Sequence, residues 1–400
     1  MHVLFYLPVV TPWWLDSIVV PMIRAMARDV KVSVLVPPLW HGTGIGPEQL
    51  SLCTEIEGVD WYILDGEDHP RLRHSAAGEP DLIALVRALG ADLTLCRSAD
   101  LETPALFPGT VRYIMEGGAP PFETGPAWAW LPETLFDHGL MPPLDPAARA
   151  LLDIAFRPSW DAALARFGAP DREAFLAAAG LPQDKHLIGL PLEYEHEEMF
   201  FGQHNSFPSN LALVNRLADQ LDDDSVLAVT NHPLNEAHCD NAPLLDAIAA
   251  RGGKVRLVPA IGASGGATML LARHCDGMVV GNSKSFGGCA FFGTPMLRLS
   301  RFRTGGWMHA YDMFEPFAAG IRAGTARRPD PADARSWFAL HLIDHVFDPT
   351  GPDLSTADLV DRVINPVNPT RWGAGLSRLG DSALNAAIAA PLLPGVLQHV

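Results

Sequence analysis

Residues 277–299 read GMVVGNSKSFGGCAFFGTPMLRL, and this stretch decides the fold. Gly277 to Val280 is a short apolar run of the kind that forms a strand buried on both faces. Gly281 to Ser285 is a small polar turn rich in Asn and Ser, and Phe286 to Phe292 is an apolar helical segment stopped by Gly293. Pro295 to Leu299 is a second short strand. Strand, turn, helix and strand in 23 residues is the repeating unit of a parallel sheet.

The same alternation runs upstream. It predicts strands at Leu187–Leu192, Val226–Thr230 and Val255–Val258, with helices at Asn210–Leu221, Ala242–Arg251 and Ala267–His274. An earlier run predicts strands at Val3–Leu7, Lys31–Val36, Trp61–Leu64, Asp92–Cys96 and Val111–Met115, with helices at Leu15–Arg28 and Asp81–Leu89. Between residues 119 and 181 the pattern changes to sequence rich in Pro, Trp and Ala, with helical stretches near Pro146–Ala155 and Arg172–Ala179. The expected class is therefore α/β, with two Rossmann-like domains facing across a cleft. The expected limits are 1–165 for the first domain and 180–330 for the second. A C-terminal helix near Arg335–Phe347 and a tail, residues 331–400, would pack back on the first domain.

Four hundred residues, 48% hydrophobic and 19% charged, exclude disorder and a small stapled scaffold. The formal charge of −17, from 46 acidic and 29 basic residues, argues against nucleic acid as a partner, so an anionic ligand must be met locally. Five cysteines without a C-x-x-C pair point to reduced thiols and a cytoplasmic location. The apolar start, Val3–Leu15, lacks a basic leader region and reads as a first buried strand. The apolar tail, Ala386–Leu397, is broken by Pro391 and Pro394 and is too short to span a bilayer. That tail, or Trp13 and Trp14, offers a peripheral contact with an inner membrane as the alternative to core packing. The oligomeric state is not encoded in any of these features.

In open parallel sheets ligands bind beyond the carboxyl ends of the strands, so the residues that follow each strand carry the chemistry. Thr230-Asn231-His232-Pro233 presents an imidazole that either donates to a phosphate oxygen or caps a loop. Gly281-Asn282-Ser283-Lys284-Ser285 offers hydroxyls, amides and one of the four lysines of the chain. It is either an anion site or an ordinary helix cap, and its spacing is not that of a Walker A loop. In Glu116-Gly117-Gly118, paired glycines would admit a ligand and Glu116 would serve as a general base; the plainer reading is a tight turn with a solvated carboxylate. Asp137 and His138 would line the same cleft. Glu193 and Glu195 would face the anomeric carbon of a sugar, or form a solvated acidic loop. Gly265, in a glycine-rich loop, would let a nucleotide approach. No set has a recognised zinc spacing, so no metal is expected.

The order of these motifs resembles the capsule polysaccharide biosynthesis family, which includes bacterial Kdo transferases, and is similar to that of GT-B sialyltransferases using CMP-sugars. The resemblance spans residues 110–300 and is most specific from Asp276 to Met296. It implies a GT-B glycosyltransferase with a CMP-sugar as co-substrate, no other cofactor and no metal, its domain 1–165 on the acceptor side and its domain 180–330 holding the nucleotide-sugar. It also implies catalytic roles for Glu116 toward the acceptor, for His232 at the phosphate, and for Glu195 as nucleophile. Asn231, Asn282, Ser283, Lys284, Ser285 and Gly265 would bind the nucleotide phosphate, and Gly117, Gly118, Asp137, His138 and Glu193 would line the acceptor side. The chain departs from the family at Thr230, where a basic residue is usual, and at Glu193-Tyr194-Glu195, where Gln-x-Asp is usual. The implied reaction is transfer of a sugar, Kdo or a related acid, to a bacterial surface polysaccharide or glycolipid. Alternatives are polyol-phosphate transfer from a CDP-alcohol, as in the similar teichoic-acid glycerophosphotransferases, a glycan-binding protein without catalysis, and a UDP-sugar epimerase of similar fold.

Overall fold

The computed structural model describes residues 1–122, 127–259, 266–352 and 354–381. Two compact units divide the chain. The first comprises Met1–Gly118, Thr124–Leu135 and Leu340–Leu379, and the second contains Ala119–Glu123 and Phe136–Ala339.

In the first unit β1 (His2–Tyr6), β2 (Lys31–Val36), β3 (Val59–Ile63), β4 (Leu93–Cys96) and β5 (Thr110–Tyr113) form a parallel sheet in the order β3-β2-β1-β4-β5. Every residue of β1 is buried, as a sheet covered on both faces requires. Val3, Phe5, Val32 and Val34 meet Ile18, Met22 and Ile23 of the helical stretch 12–26, together with Phe347, Leu359 and Val363 from the chain's C-terminal part. The middle of that helical stretch, Leu15–Val19, is π-helical. Trp14 is buried beneath the Arg97 guanidinium, 3.7 Å from its ring centre, so it belongs to the core, whereas Trp13 is half exposed. The strand expected at Val111–Met115 is divided: β5 ends at Tyr113, and β6 (Met115–Glu116) pairs antiparallel with β7 (Ala129–Trp130).

The second unit repeats the topology. Here β8 (His186–Pro191), β9 (Ser225–Thr230), β10 (Val255–Leu257), β11 (Gly277–Val280) and β12 (Met296–Arg298) lie parallel in the order β10-β9-β8-β11-β12. Four helices concern the site: α1 (Asn210–Gln220), α2 (Pro233–His238), α3 (Gly266–His274) and α4 (Phe286–Phe292). Two Rossmann-like α/β units of identical strand order in one chain are the composition of the GT-B fold, and in each the strand order reverses beside the first strand.

Two boundaries differ from the sequence expectation. The helix beginning at Pro146 continues through Pro158 to Arg166 and belongs to the second unit, not to a first domain ending at 165. Its Phe156 and Trp160 join a cluster with Phe122, Phe291 and Phe338, with Trp160 4.4 Å from Phe291. Burial of that face outweighs the lost hydrogen bond at Pro158. The helix expected at Arg335–Phe347 runs only over Pro331–Leu340, passes into a π-turn, His341–His345, and crosses to the first unit. There Phe347 pairs with Ala129. Among the described residues all five cysteines are free thiols, and no helix is long and apolar enough to cross a membrane. The apolar tail 386–397 lies outside the described residues.

The C-terminal part of the first unit is anchored by Asp344. It is fully buried and accepts from Arg371 Nε at 2.7 Å, Trp372 Nε1 at 2.8 Å and the Asn368 amide at 2.9 Å. Removing one partner of such a buried pair strands the other charge and costs about 3 kcal/mol. Asp344→Ala is therefore expected to lower the apparent melting temperature by several degrees in a thermal denaturation scan; an unchanged curve would contradict this role.

Candidate functional site

The crevice where the strand order reverses in the second unit lies between the ends of β8 and β11, and the chain leaving each strand is pinned to the other. The peptide group joining Gly281 to Asn282, just past β11, is gripped on both sides. Its N–H donates to a Glu193 carboxylate oxygen, and its C=O accepts from Arg298 Nη1. A second Glu193 contact reaches the amide of Ser283. A Cβ at position 281 would lie 2.1 Å from Glu193 Oε1, so this approach requires glycine. Burial pushes the Glu193 carboxyl upward, opposed by the two amides and by Arg298, and burial pulls Arg298 down to about 10. Arg298 also donates to Phe136 O at 2.9 Å and meets His138 Nδ1 at 2.5 Å. His138 stacks on Phe286, with centroids 4.1 Å apart, and burial with the nearby Arg298 and Lys284 charges keeps its imidazole well below its usual range.

This clamp fixes the start of the 281–285 turn, which borders a hollow of about 570 Å³, a size ordinary for a small-molecule site. His232, Ser283, Lys284 and Ser285 line it together, so the H-P and S-K-S motifs share one hollow within the second unit. Thr230, Thr268 and Arg166 add to the polar wall, and Pro120, Pro121, Phe167, Leu192 and Met269 form the apolar one. Among the described residues two cationic side chains and no carboxylate line it, in a chain whose net charge is −17. That is the local charge reversal an anion needs.

His232 Nδ1 accepts from the Leu234 amide at 3.2 Å at the start of α2, which places the proton of the neutral ring on Nε2 as a donor. Burial lowers its basicity, and Tyr194 stacks against the ring at 5.5 Å. Ser283 Oγ accepts from the Ser285 amide at 3.2 Å. Ser285 is 6% exposed, and its hydroxyl has no hydrogen-bond partner among the described residues. The paired glycines after it have separate steric duties. A Cβ at Gly287 would strike Pro120 O at 2.2 Å, and one at Gly288 would press on Ala272 and Met269 of α3.

Other expected residues are otherwise engaged. The Asn231 side chain is tied to Asn241 at 3.0 Å and to Asn235 at 3.1 Å, and Asn282 turns away to His204 O and Ser300. Asn231 nonetheless borders the hollow of His232, whereas Asn282 does not. Glu195 caps α1 by accepting from the Asn210 amide at 2.7 Å, as a carboxylate at a positive helix end does; it borders neighbouring hollows and not that of His232. Asp137 holds Arg303 through both oxygens: Oδ2 accepts from Nε at 2.9 Å and Nη2 at 2.6 Å, and Oδ1 from the Arg303 amide at 2.9 Å. Glu193 is spent on the clamp. Gly117 is closed by Val346, 2.8 Å from an added Cβ, and its carbonyl accepts from His341, so Gly117 serves packing within the first unit. Glu116, also in the first unit, is a half-exposed carboxylate bonded to Arg97 at 3.0 Å. Gly265 lies outside the described residues. Among the described residues no group of three or more His, Cys, Asp or Glu side chains is arranged to hold a metal ion.

Thr268 and Arg166 do not stand out in the sequence. Thr268, bonded to Thr230 at 3.0 Å, was signalled only by its place in the first turn after a glycine-rich loop. Arg166 ends a helix with no motif and reaches the hollow through the fold alone.

A scan against protein-family models finds no match, and a search of curated proteins finds none. Among solved structures the chain is similar to a beta Kdo 2,7 transferase, KpsC of Thermosulfurimonas dismutans, with a TM-score of 0.45 and 13% identity over 82% of this chain and 98% of that one. It is similar to the beta Kdo 2,4 transferase of the same KpsC, with a TM-score of 0.44 and 12% identity over 91% of this chain and 98% of that one. A third is the ADP-heptose heptosyltransferase II of E. coli, with a TM-score of 0.23 and 12% identity over 95% and 100%. None of these likenesses assigns a role to a residue of this chain.

The buried imidazoles give the molecule an acid limit. Histidines 138, 232 and 274 all have folded-state affinities for protons below the unfolded value of about 6.5, with His274 at about 4 through burial and the neighbouring Arg273. Because the folded values are depressed, the stability gained by keeping these rings neutral is complete above about pH 6.5 and is lost as the pH falls toward 4. Melting temperatures should therefore decline across that interval, and less steeply in His274→Gln; identical slopes for the two proteins would contradict the assignment.

Proposed function

We propose that the chain is a GT-B glycosyltransferase whose second unit holds the phosphate of an activated sugar donor. The observation that carries this reading is the hollow lined by His232, Lys284 and a buried Ser285 hydroxyl, which among the described residues has no hydrogen-bond partner and no carboxylate beside it in the lining. As the bond between the anomeric carbon and the phosphate oxygen breaks, its electron pair passes to that oxygen. His232 Nε2–H, Ser285 Oγ–H and the Lys284 ammonium are suited to receive the charge that develops there. The acceptor hydroxyl attacks the anomeric carbon and gives up its proton to a base, a role for which the resemblance in sequence implies Glu116. The resemblance in sequence favours a CMP-sugar carrying Kdo or a related acid as donor, and a bacterial surface polysaccharide or glycolipid as acceptor. Two cations and a set of neutral donors meet a nucleotide phosphate without a metal ion.

A thermal-shift screen with CMP, CDP, UDP, GDP and CDP-glycerol tests this. A ligand present at 100 times its dissociation constant stabilises the native state by about 2.7 kcal/mol, and CMP is expected to give the largest shift. Ser285→Ala should weaken CMP binding about tenfold without lowering the melting temperature of the free protein, since it removes a hydroxyl that has no partner among the described residues. His232→Ala should abolish transfer from CMP-Kdo. A preference for CDP-glycerol would move the donor to a polyol phosphate, and no response to any nucleotide, or full turnover in His232→Ala, would overturn the proposal.

A further inference from the structure

We infer that Glu193 is a positioning residue for the donor phosphate: by holding the amides of Asn282 and Ser283 it sets the turn that carries Ser283, Lys284 and Ser285 into the hollow, without touching the ligand. This rests on the reading of the hollow as the donor-phosphate site. Glu193 does not line that hollow, whereas the residues on either side of its contact, Leu192 and Ser283, do.

Three features distinguish this contact from a solvated acidic loop. It spans 89 residues of sequence and joins the two loops that flank the strand-order reversal. Its own chain is fastened in turn, since Asn210 Nδ2 and Asn235 Nδ2 each donate to the Glu193 carbonyl at 2.9 Å. Finally, the peptide it grips is held from the opposite side by Arg298, which has 6% of its surface exposed. An acidic and a basic group acting on the two ends of one peptide dipole leave it a single orientation, and the turn that follows inherits it. The carboxylate also takes up amides that a phosphate would otherwise compete for, so the ligand is met by side chains, Ser285 and Lys284 among them.

The test compares CMP affinity by calorimetry in wild type, Glu193→Ala, Glu193→Gln and Gly281→Ala, with circular dichroism to verify folding. Glu193→Ala should weaken CMP binding about tenfold, equivalent to about 1.4 kcal/mol. Glu193→Gln keeps an oxygen acceptor for the two amides and should recover most of the loss. Gly281→Ala leaves the carboxylate in the chain but drives it off the turn, and should match Glu193→Ala. Affinities in Glu193→Ala and Gly281→Ala equal to wild type, or a Glu193→Gln variant no better than Glu193→Ala, would overturn the positioning role while leaving the donor site standing, provided Ser285→Ala still weakens CMP. Tighter binding in Glu193→Ala would show that the carboxylate competes with the phosphate, and would also overturn it. A wild-type protein that binds no nucleotide would overturn both readings.

Discussion

One peptide group, Gly281–Asn282, organises the second unit. Its C=O faces the Arg298 guanidinium and its N–H faces the Glu193 carboxylate, and both charged groups are largely withdrawn from water. Desolvating either alone would be costly. Placed on opposite ends of a peptide dipole they offset each other; Phe136 O and His138 take up further guanidinium donors and the Ser283 amide faces the carboxylate, while Arg298 Nε is buried without a hydrogen-bond partner among the described residues. A residue larger than glycine at 281 would break the arrangement, because the carboxylate occupies the space of a side chain.

The surroundings of the turn follow from this constraint. With residue 282 fixed, Asn282 is directed toward His204 and Ser300, and the next three residues face the α3 and α4 side of the sheet. Gly287 and Gly288 then allow the Pro120 backbone and α3 to approach α4 closely enough to wall the hollow. On the far side an asparagine network, Asn231, Asn235 and Asn241, binds the loop after β8 to the loop after β9, so that His232 leaves the sheet from a fixed frame. Most polar groups near the hollow are engaged within the protein. The Ser285 hydroxyl has no partner among the described residues, and it is buried.

The strands were readable because a sheet covered on both faces demands unbroken apolar runs, and β1, β9 and β11 are of that kind. The meeting of His232 with the 283–285 turn was readable for a related reason: residues just past neighbouring parallel strands gather at one edge. What could not be read is which polar side chains are consumed internally. Glu195, Asp137 and Glu193 have the composition of an acid–base site, yet one caps a helix, one holds Arg303 and one grips a peptide, each through partners distant in sequence. The extension of the Pro146–Arg166 helix past Pro158 was equally hidden, because the aromatic cluster that stabilises it draws on residues 122, 291 and 338. Local sequence specifies where chemistry is presented; long-range packing decides which groups remain available for it.

The central claim is that an anionic donor phosphate occupies the hollow beside the clamped turn. It is tested most directly by a crystal structure of the full chain with CMP. The account predicts phosphate oxygens within hydrogen-bond distance of Ser285 Oγ, His232 Nε2 and Lys284 Nζ, with Glu193 still on the amides of 282 and 283. CMP bound instead among Tyr194, Glu195 and Asn210, in the neighbouring hollow of about 480 Å³, would contradict it.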